Sequence, residues 1–392
     1  MNTKVKKILI IVIIVLVVAL AGLLIYYFFF KKPTTTVTPG GGGNLPQSAE
    51  ETAKQRREEE KKNRPALRIK AISNEPVLAP AISADKNQVI YYGRANGNIW
   101  QSDFDGVNIK NVSNTKLENL VKVYWSPAKD TSINVFEDTL GNVTKFLYKI
   151  ADKTATPLNK YMNYLSWSPD GKKIVYQYQD DSTGDNTITL SDPNGSNYSV
   201  LLKPRIKNLL FNWPKGNEIF FQEKPSGIVT STLYLLNSKT KALSKVSSDI
   251  YGLNIKWSPD GSKMLYSKTD QNGKNIGLYV ANQGVTNSKT VGVSTLVEKC
   301  AWSQDIRYIY CAVPRNIGDA NILPDDFYKG TFAANDDFYR INLEGGQPQK
   351  LLDDSLLVEA YDANDVFLAP DETYLFFVNK VNGLLYSIKL TQ

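Results

Sequence analysis

The sequence predicts an all-β fold: a seven-bladed β-propeller of four-stranded antiparallel blades, preceded by one transmembrane helix and a flexible, charged linker. First, a Trp-Ser-Pro-Asp-Gly phrase recurs, best preserved at Trp167 and Trp257. Second, the equivalent positions fall at 82, 125, 167, 213, 257, 302 and 368, at steps of 43, 42, 46, 44, 45 and 66 residues, a period typical of propeller blades. Third, no stretch after Arg64 shows the 3.6-residue periodicity of helical repeats.

The repeated phrase has the chemistry of a β-hairpin turn. Pro169 presets φ for the first corner, Asp170 suits the second, and Gly171 accepts the left-handed conformation that closes the loop. Strands of the third unit are then expected at residues 164–168, 173–178, 187–191 and 198–202. Four strands per repeat make one blade.

The last unit has only three predicted strands, at residues 366–369, 374–378 and 384–390. An open ring would leave unpaired strand edges in its first and last blades. Residues 66–72 alternate apolar and basic side chains, as a half-exposed outer strand does. We expect this segment to join the last blade and close the ring.

The repeats resemble those of the TolB-type propeller family, whose consensus reads Trp/Phe-Ser-Pro-Asp-Gly-Lys followed by a β-rich triplet. The resemblance covers residues 66–392 and is specific because the phrase recurs in phase. TolB itself is a soluble periplasmic protein with six blades and an added α/β domain, whereas this chain predicts seven blades and a membrane segment. The resemblance therefore implies the fold and leaves the activity open.

The region before the propeller divides into three parts. Residues 8–30 contain no charge and, as a helix, span roughly 35 Å, enough for a bilayer core. The sequence predicts a short cytoplasmic stub at residues 1–7, a transmembrane helix at 8–30, a linker and charged spacer at 31–64, and the propeller at 65–392. A cleaved signal peptide and a buried core helix are the alternatives to the anchor.

The distribution of charge along the chain favours a propeller outside the cytoplasm and argues against nucleic-acid binding. Lys4, Lys6 and Lys7 slightly outweigh Lys31 and Lys32, which favours a cytoplasmic amino terminus and a propeller in the periplasm or on the cell surface. Residues 1–63 hold ten Lys and Arg against five Glu, so only +2 of the net charge of +7 belongs to the rest. Nucleic-acid binding needs clustered cations, so we expect none.

Both cysteines fall in the sixth unit, on either side of its first hairpin turn. With that turn centred between Asp305 and Ile306, Cys300 and Cys311 face each other across the two strands. Opposed residues of antiparallel strands come within disulfide range when they form the narrow, non-hydrogen-bonded kind of pair. We expect a disulfide, with two buried thiols as the alternative.

The chain contains no histidine, which excludes Ser-His-Asp and Cys-His nucleophiles and the usual zinc ligand sets. No turn matches an EF-hand calcium loop. The sequence therefore predicts no catalytic motif, no metal site and no cofactor. Carboxylate-based hydrolysis stays open, because a ring of blades can direct Asp and Glu into one channel.

One repeat position holds five of the six tryptophans, so we assign them one structural role, packing between adjacent blades. These residues are Trp125, Trp167, Trp213, Trp257 and Trp302.

The sixth unit departs from the repeat by about twenty extra residues, between the predicted second and third strands. This insert mixes acidic and aromatic side chains, as partner-binding loops do. The candidate partner-binding residues are Asp325, Asp326, Phe327, Tyr328, Lys329 and Phe332. The alternative is that the insert plugs the channel mouth or covers a neighbouring blade.

The function that these observations favour is a protein-interaction or scaffold module of the cell envelope, whose partner is a protein or an envelope polymer. One alternative is a carboxylate-based enzyme acting on an envelope glycan, which predicts an acidic cluster in the central channel. A second is a ligand-sensing ectodomain that works through a membrane partner. The interaction module predicts an aromatic patch at Phe327, Tyr328 and Phe332.

Overall fold

The protein is a seven-bladed β-propeller. A computed structural model describes residues 69–390 except 114–117, 284, 286, 354–356 and 358. The described strands form seven four-stranded antiparallel sheets, six of which are built from four consecutive strands. The predicted stub, transmembrane helix, linker and residues 65–68 lie outside the described residues.

Each blade runs from its inner strand a to its outer strand d. The strands are as follows: blade 1, Val77–Ile82, Gln88–Gly93, Ile99–Asp103 and Lys110–Asn111; blade 2, Leu120–Trp125, Thr131–Glu137, Val143–Lys149 and Thr154–Leu158; blade 3, Met162–Trp167, Ile174–Asp180, Asp185–Ser191 and Ser199–Leu202; blade 4, Leu209–Lys215, Glu218–Glu223, Thr230–Asn237 and Leu243–Tyr251; blade 5, Asn254–Trp257, Lys263–Lys268, Gly277–Asn282 and Lys289–Thr290; blade 6, Cys300–Trp302, Tyr308–Pro314, Asp336–Asn342 and Gln349–Lys350; blade 7, Ala363–Leu368, Tyr374–Asn379, Leu385–Lys389 and Ile69–Ala71. A 3-10 helix, Val297–Lys299, precedes blade 6, and an α-helix, Asp325–Lys329, lies in the insert.

The antiparallel order gives the ring two distinct faces. The a–b and c–d turns lie on one face, and the b–c loops and d–a connections lie on the other. The long b–c loop of blade 6, residues 315–335, belongs to this second face, which we call the insert face.

The a–b turns share one hydrogen-bonding pattern. In blade 3, the Ser168 hydroxyl donates to the Asp170 carboxylate at 2.7 Å and accepts from the Lys173 amide at 2.9 Å. The left-handed residue is Gly171, with φ of 69°, as the turn chemistry predicts. The same serine-to-aspartate bond recurs at Ser83, Ser258 and Ser303.

The ring closes with a strand from upstream, as the sequence predicts. Ile69–Ala71 pairs antiparallel with the last strand, and Lys70 lies opposite Ser387. The next amide, that of Ile72, donates to the carbonyl oxygen of Leu385 at 2.8 Å. Ile72 is 1% exposed and packs with side chains of blades 1 and 7, so the closing segment also fills the core between them.

The repeat tryptophans lie between adjacent blades. Trp167 packs against Ile133 and Leu147 of the preceding blade. The ring of Trp257 lies 4.5 Å, centroid to centroid, from that of Phe220 in the preceding blade, a contact worth about 0.5–1.5 kcal/mol beyond the area buried. Three indole N–H groups donate to inner-strand carbonyl oxygens of the preceding blade: Trp125 to Ala79, Trp167 to Tyr124 and Trp302 to Lys256. Trp213 differs, because its indole donates to Gly216 in its own hairpin.

The disulfide predicted in blade 6 is present. Cys300 and Cys311 lie opposite each other on strands a and b, with their Cα atoms 4.1 Å apart, and their sulfur atoms are bonded. The bond joins the innermost strand of the blade to its neighbour.

Within residues 69–390, no described helix is long and apolar enough to cross a membrane.

Candidate binding face and channel mouth

The insert of blade 6 folds back onto its neighbours. The Leu323 amide donates to the Gly273 carbonyl oxygen at 2.9 Å, in the b–c loop of blade 5. The Asp325 carboxylate accepts from the Ser226 hydroxyl at 3.0 Å and from the Gly227 amide at 2.7 Å, in the b–c loop of blade 4. The insert therefore covers the loops of two neighbouring blades.

Two of the three insert aromatics are buried, which corrects the expectation of an aromatic surface patch. Phe327 is 7% exposed and Phe332 is 1% exposed. Both pack in a small core with Ile276, Leu296 and Leu323. The expectation is wrong because side chains from blade 5 and from the connection before blade 6 meet these rings, and a loop's own composition does not reveal such neighbours.

The remaining candidates have different surroundings. The Asp326 carboxylate accepts from the Ile322 amide at 2.7 Å, which stabilises the insert's own turn, whereas its 3.7 Å contact with the exposed Lys329 ammonium adds little. Lys329 is exposed. Tyr328 is 38% exposed and is the one insert aromatic of the three that reaches the surface.

A buried ion cluster fixes the carboxyl-terminal end of the insert. The Lys299 ammonium contacts the Asp336 carboxylate at 2.7 Å and the Asp362 carboxylate at 2.8 Å, and all three residues are almost completely buried. The Ala334 amide of the insert donates to Asp362 at 3.2 Å. Burial raises the pKa of Asp336 to about 6, and the attraction of Lys299 opposes that rise.

Tyr328 leads from the insert to the axial channel. Its hydroxyl donates to the Glu298 carboxylate. The side-chain amide of Asn254 donates to the Tyr328 hydroxyl at 2.8 Å and to the Glu298 carboxylate at 2.6 Å. Burial raises the pKa of Glu298, and burial together with the Glu298 charge raises that of Tyr328. Three segments from blades 5 and 6 thus meet at one point.

The Lys256 ammonium identifies this point as the channel. It donates to the carbonyl oxygen of Cys300 in blade 6 and, at 3.2 Å, to that of Val366 in blade 7. A side chain of blade 5 that reaches the inner strands of two other blades must extend into the space around the axis. Burial lowers the pKa of Lys256, while the charges of Asp365 and Glu298 act to raise it.

Asp365, on the inner strand of blade 7, completes the cluster. Its side chain is exposed to solvent, yet its pKa is raised by desolvation and only partly lowered by Lys256 and Arg94. Solvent therefore reaches Asp365, while the protein around it still disfavours the charged form of the carboxyl. We call Asn254, Lys256, Glu298, Tyr328 and Asp365 the channel-mouth cluster.

Exposed large apolar side chains are concentrated in the connections of the insert face. Ile228 and Val229 are 56% and 62% exposed, and their loop contacts the insert through Gly227. In the same loop, the Lys224 ammonium lies 5.9 Å from the centroid of the Tyr328 ring. We call Ile228, Val229 and Tyr328 the insert-face patch. Further exposed apolar residues of this face are Leu140, Ile206 and Val381, whereas the turns of the opposite face contribute Val107 and Tyr198.

No protein-family model matches the chain, and no curated protein matches its sequence. Among solved structures, an oligogalacturonate lyase in complex with manganese is 13% identical, with a TM-score of 0.59 over 83% of this chain and 93% of that chain. The β-propeller domain of Cps50 (Swd1) from Myceliophteria thermophila is 10% identical, with a TM-score of 0.54 over 82% of this chain and 100% of that domain. These similarities show the fold alone.

TolB from Acinetobacter baumannii is also similar, at 12% identity and a TM-score of 0.44 over 89% of this chain and 72% of that chain. That TM-score is too low to support an argument about function. The comparisons therefore confirm a propeller, and the site has to be interpreted from its own geometry.

Sequence reasoning missed most of the channel-mouth cluster. Of its five residues, only Tyr328 was a candidate, and the others lie on or beside inner strands. One signal was available: Asp365 stands three residues before the position that aligns with the repeat tryptophan, and Lys256 stands one before it. Charged residues on inner strands face a narrow axis, where a charge is costly unless it is paired.

Proposed function

We propose that the protein is a membrane-anchored, extracytoplasmic propeller of the cell envelope that acts as a protein-interaction module and binds its partner through the insert face. The anchor is the apolar segment 8–30, and the shared turn chemistry of its blades supports a relationship to TolB-type repeats. The observation that carries the proposal is the insert-face patch, in which two exposed aliphatic side chains stand in a loop that is hydrogen-bonded to the insert bearing the half-exposed Tyr328.

The composition of the patch fits a protein interface. Interface cores are enriched in aromatic residues, and Tyr is frequent among the residues that dominate binding energy. Single exposed apolar residues are ordinary on any surface. Here Ile228 and Val229 are consecutive, and their loop is joined to the insert by two hydrogen bonds of Asp325. The patch is therefore presented on a fixed support, which lowers the entropy lost on binding.

The glycan-hydrolase alternative is less well supported by the geometry. Glycosidases need two carboxyl groups that both reach the scissile bond. Glu298 has one oxygen that already accepts from Tyr328 and Asn254, which leaves a single oxygen without a donor and holds the group as a fixed acceptor. The pair Glu298 and Asp365 therefore suits a binding role better than proton exchange with a sugar.

A site-specific photocrosslinker tests the proposal in cells that produce the full-length protein. Placed at Val229, it is expected to give a discrete protein adduct, and placed at Val107 on the opposite face, it is expected to give none. The aspartate variant Ile228→Asp should abolish an adduct formed from Val381 elsewhere on the insert face. Equal labelling from Val107 and Val229, or no protein adduct from the insert face, would refute the proposal.

A further inference from the structure

The channel mouth contains hydrogen-bond acceptors that lack donors. Among the described residues, the Oε2 atom of Glu298 and the Oδ1 atom of Asn364 are buried and have no hydrogen-bond partner. The carboxylate of the adjacent Asp365 is influenced by burial and by the charges of Lys256 and Arg94, and no hydrogen bond contributes to its pKa. The buried, unpaired acceptors of Glu298 and Asn364 carry a large desolvation cost, which a donor-bearing ligand would relieve.

The backbone holds Asp365 at this position. Its φ is 49°, and the pairing of strands a and b in blade 7 breaks between Asn364 and Phe367. The same inner-strand position has φ of 51° at Ala79 in blade 1 and 50° at Tyr164 in blade 3. The bulge is thus a recurrent feature of the repeat, and in blade 7 it presents a carboxylate.

The charged groups of the channel-mouth cluster can accommodate one additional cation. Glu298 and Asp365 face a single ammonium, that of Lys256, which already donates to two backbone carbonyl oxygens. Two more cationic side chains lie at the periphery: Arg94, which acts electrostatically on Asp365, and Lys224, over the ring of Tyr328. Apart from these two peripheral cations, the cluster therefore contains two carboxylates and one ammonium.

We propose that the channel mouth binds an organic cation with N–H donors, an ammonium or guanidinium group, which the partner of the insert face supplies as a Lys or Arg side chain. The inference rests on the proposed function, because the channel opens on the insert face beside the insert-face patch. A guanidinium offers several donors in one plane and satisfies more than one carboxylate oxygen at once.

Other ligands fit less well. Within the described residues no group of three or more His, Cys, Asp and Glu could hold a metal ion, and calcium needs six to eight oxygen ligands. An anion would meet two carboxylates and leave the acceptors unpaired. An apolar group would leave the same acceptors without donors and would add the cost of their burial.

The test is calorimetric titration of the detergent-solubilised full-length protein with N-acetyl-arginine amide. The neutral analogue N-acetyl-citrulline amide is the matched ligand control. We expect saturable binding of the arginine compound, none of the citrulline compound, and at least a tenfold weaker affinity for Asp365→Asn. Asp371→Asn, the same change in the a–b turn of blade 7 on the opposite face, should leave the affinity unchanged.

Further measurements distinguish a partner side chain from a free amine as the source of the cation, and failure of the cation site from failure of the proposed function. Stronger binding of a basic peptide than of ethylammonium supports a partner side chain, and the reverse indicates a free amine and overturns the partner assignment. If neither arginine amide nor ethylammonium binds, or if Asp365→Asn and Glu298→Gln bind as the wild type does, the cation site is refuted. Binding of calcium or manganese that depends on Asp365, without arginine binding, also refutes it. A crosslink from Val229 in that case would leave the proposed function standing.

Discussion

Replacing Phe332 by alanine distinguishes a buried support from a binding residue. Phe332 is 1% exposed and packs with Ile276, Leu296 and Leu323. Removing a buried phenyl ring costs about 3–5 kcal/mol, through lost burial and the cavity that remains. A residue of an exposed patch would change the free energy of unfolding by less than about 0.5 kcal/mol. The two interpretations therefore differ by a measurable amount.

The cost should appear as opening of the insert. The Leu323 amide donates to Gly273, and the Thr331 amide donates to Asp326 at 3.0 Å. Because about 1.4 kcal/mol corresponds to a tenfold change in an equilibrium constant, we expect hydrogen exchange at these amides to accelerate by about 10²-fold to about 4 × 10³-fold. Lys329→Ala, a change at an exposed position of the same insert, is the control and should leave exchange unchanged.

The result that would refute this reasoning is equally specific. If Phe332→Ala exchanges at the wild-type rate at both amides and unfolds at the wild-type urea concentration, the ring does not support the insert. Loss of partner crosslinking without any change in exchange would restore the role of Phe332 as a binding residue.

Three further predictions concern the ring, its disulfide and its response to pH. Ile72→Ala should lower the free energy of unfolding by about 2–5 kcal/mol in urea titrations, whereas the exposed Lys70→Ala should change it by less than about 0.5 kcal/mol; equal effects would contradict the closing role of the segment. Replacing Cys300 and Cys311 together by alanine removes a bond that closes a span of 11 residues and should lower the free energy of unfolding by about 2–3 kcal/mol relative to the oxidised wild type. Adding reductant to the wild type should abolish that difference. The pKa of Asp336 is raised to about 6 in the folded state, so the folded protein binds this proton more readily than the unfolded chain, and the contribution of Asp336 to stability increases as pH falls from 7 to about 4. Asp336→Asn should flatten that part of the plot of urea midpoint against pH, and an unchanged slope would contradict this prediction.

The fold could be predicted because its signals are local and repeated. The tryptophan spacing gave the number of blades, since each blade is one sequence repeat. The symmetry of a single hairpin placed Cys300 opposite Cys311. The alternation at residues 66–72 indicated the closing strand, although the structure describes the pairing only for Ile69–Ala71.

The site could not be predicted in the same way because it is assembled across blades. Phe332 looks exposed in a polar loop, and its burial depends on Ile276 of another blade. Lys256, Glu298 and Asp365 belong to three different blades or connections and meet only where the ring brings their inner strands together. Each of these three residues occurs in one blade or connection only, so the repeat pattern shows that the position departs from the consensus but does not show what the side chain contacts.

The insert face and the channel mouth both depend on a ring sealed by its upstream strand, and one engineered disulfide tests that directly. Ala71 and Tyr386 are opposed in the pairing of the closing strand. Because the next pair is joined by the bond from the Ile72 amide to Leu385, Ala71 and Tyr386 form the narrow, non-hydrogen-bonded kind of pair, with Cα atoms roughly 4.5 Å apart, within disulfide range. After mild oxidation of the Ala71→Cys, Tyr386→Cys variant, mass spectrometry should find a peptide that links the two positions, in addition to the native Cys300–Cys311 link. Free thiols at both new positions, with the native link intact, would contradict the sealed ring.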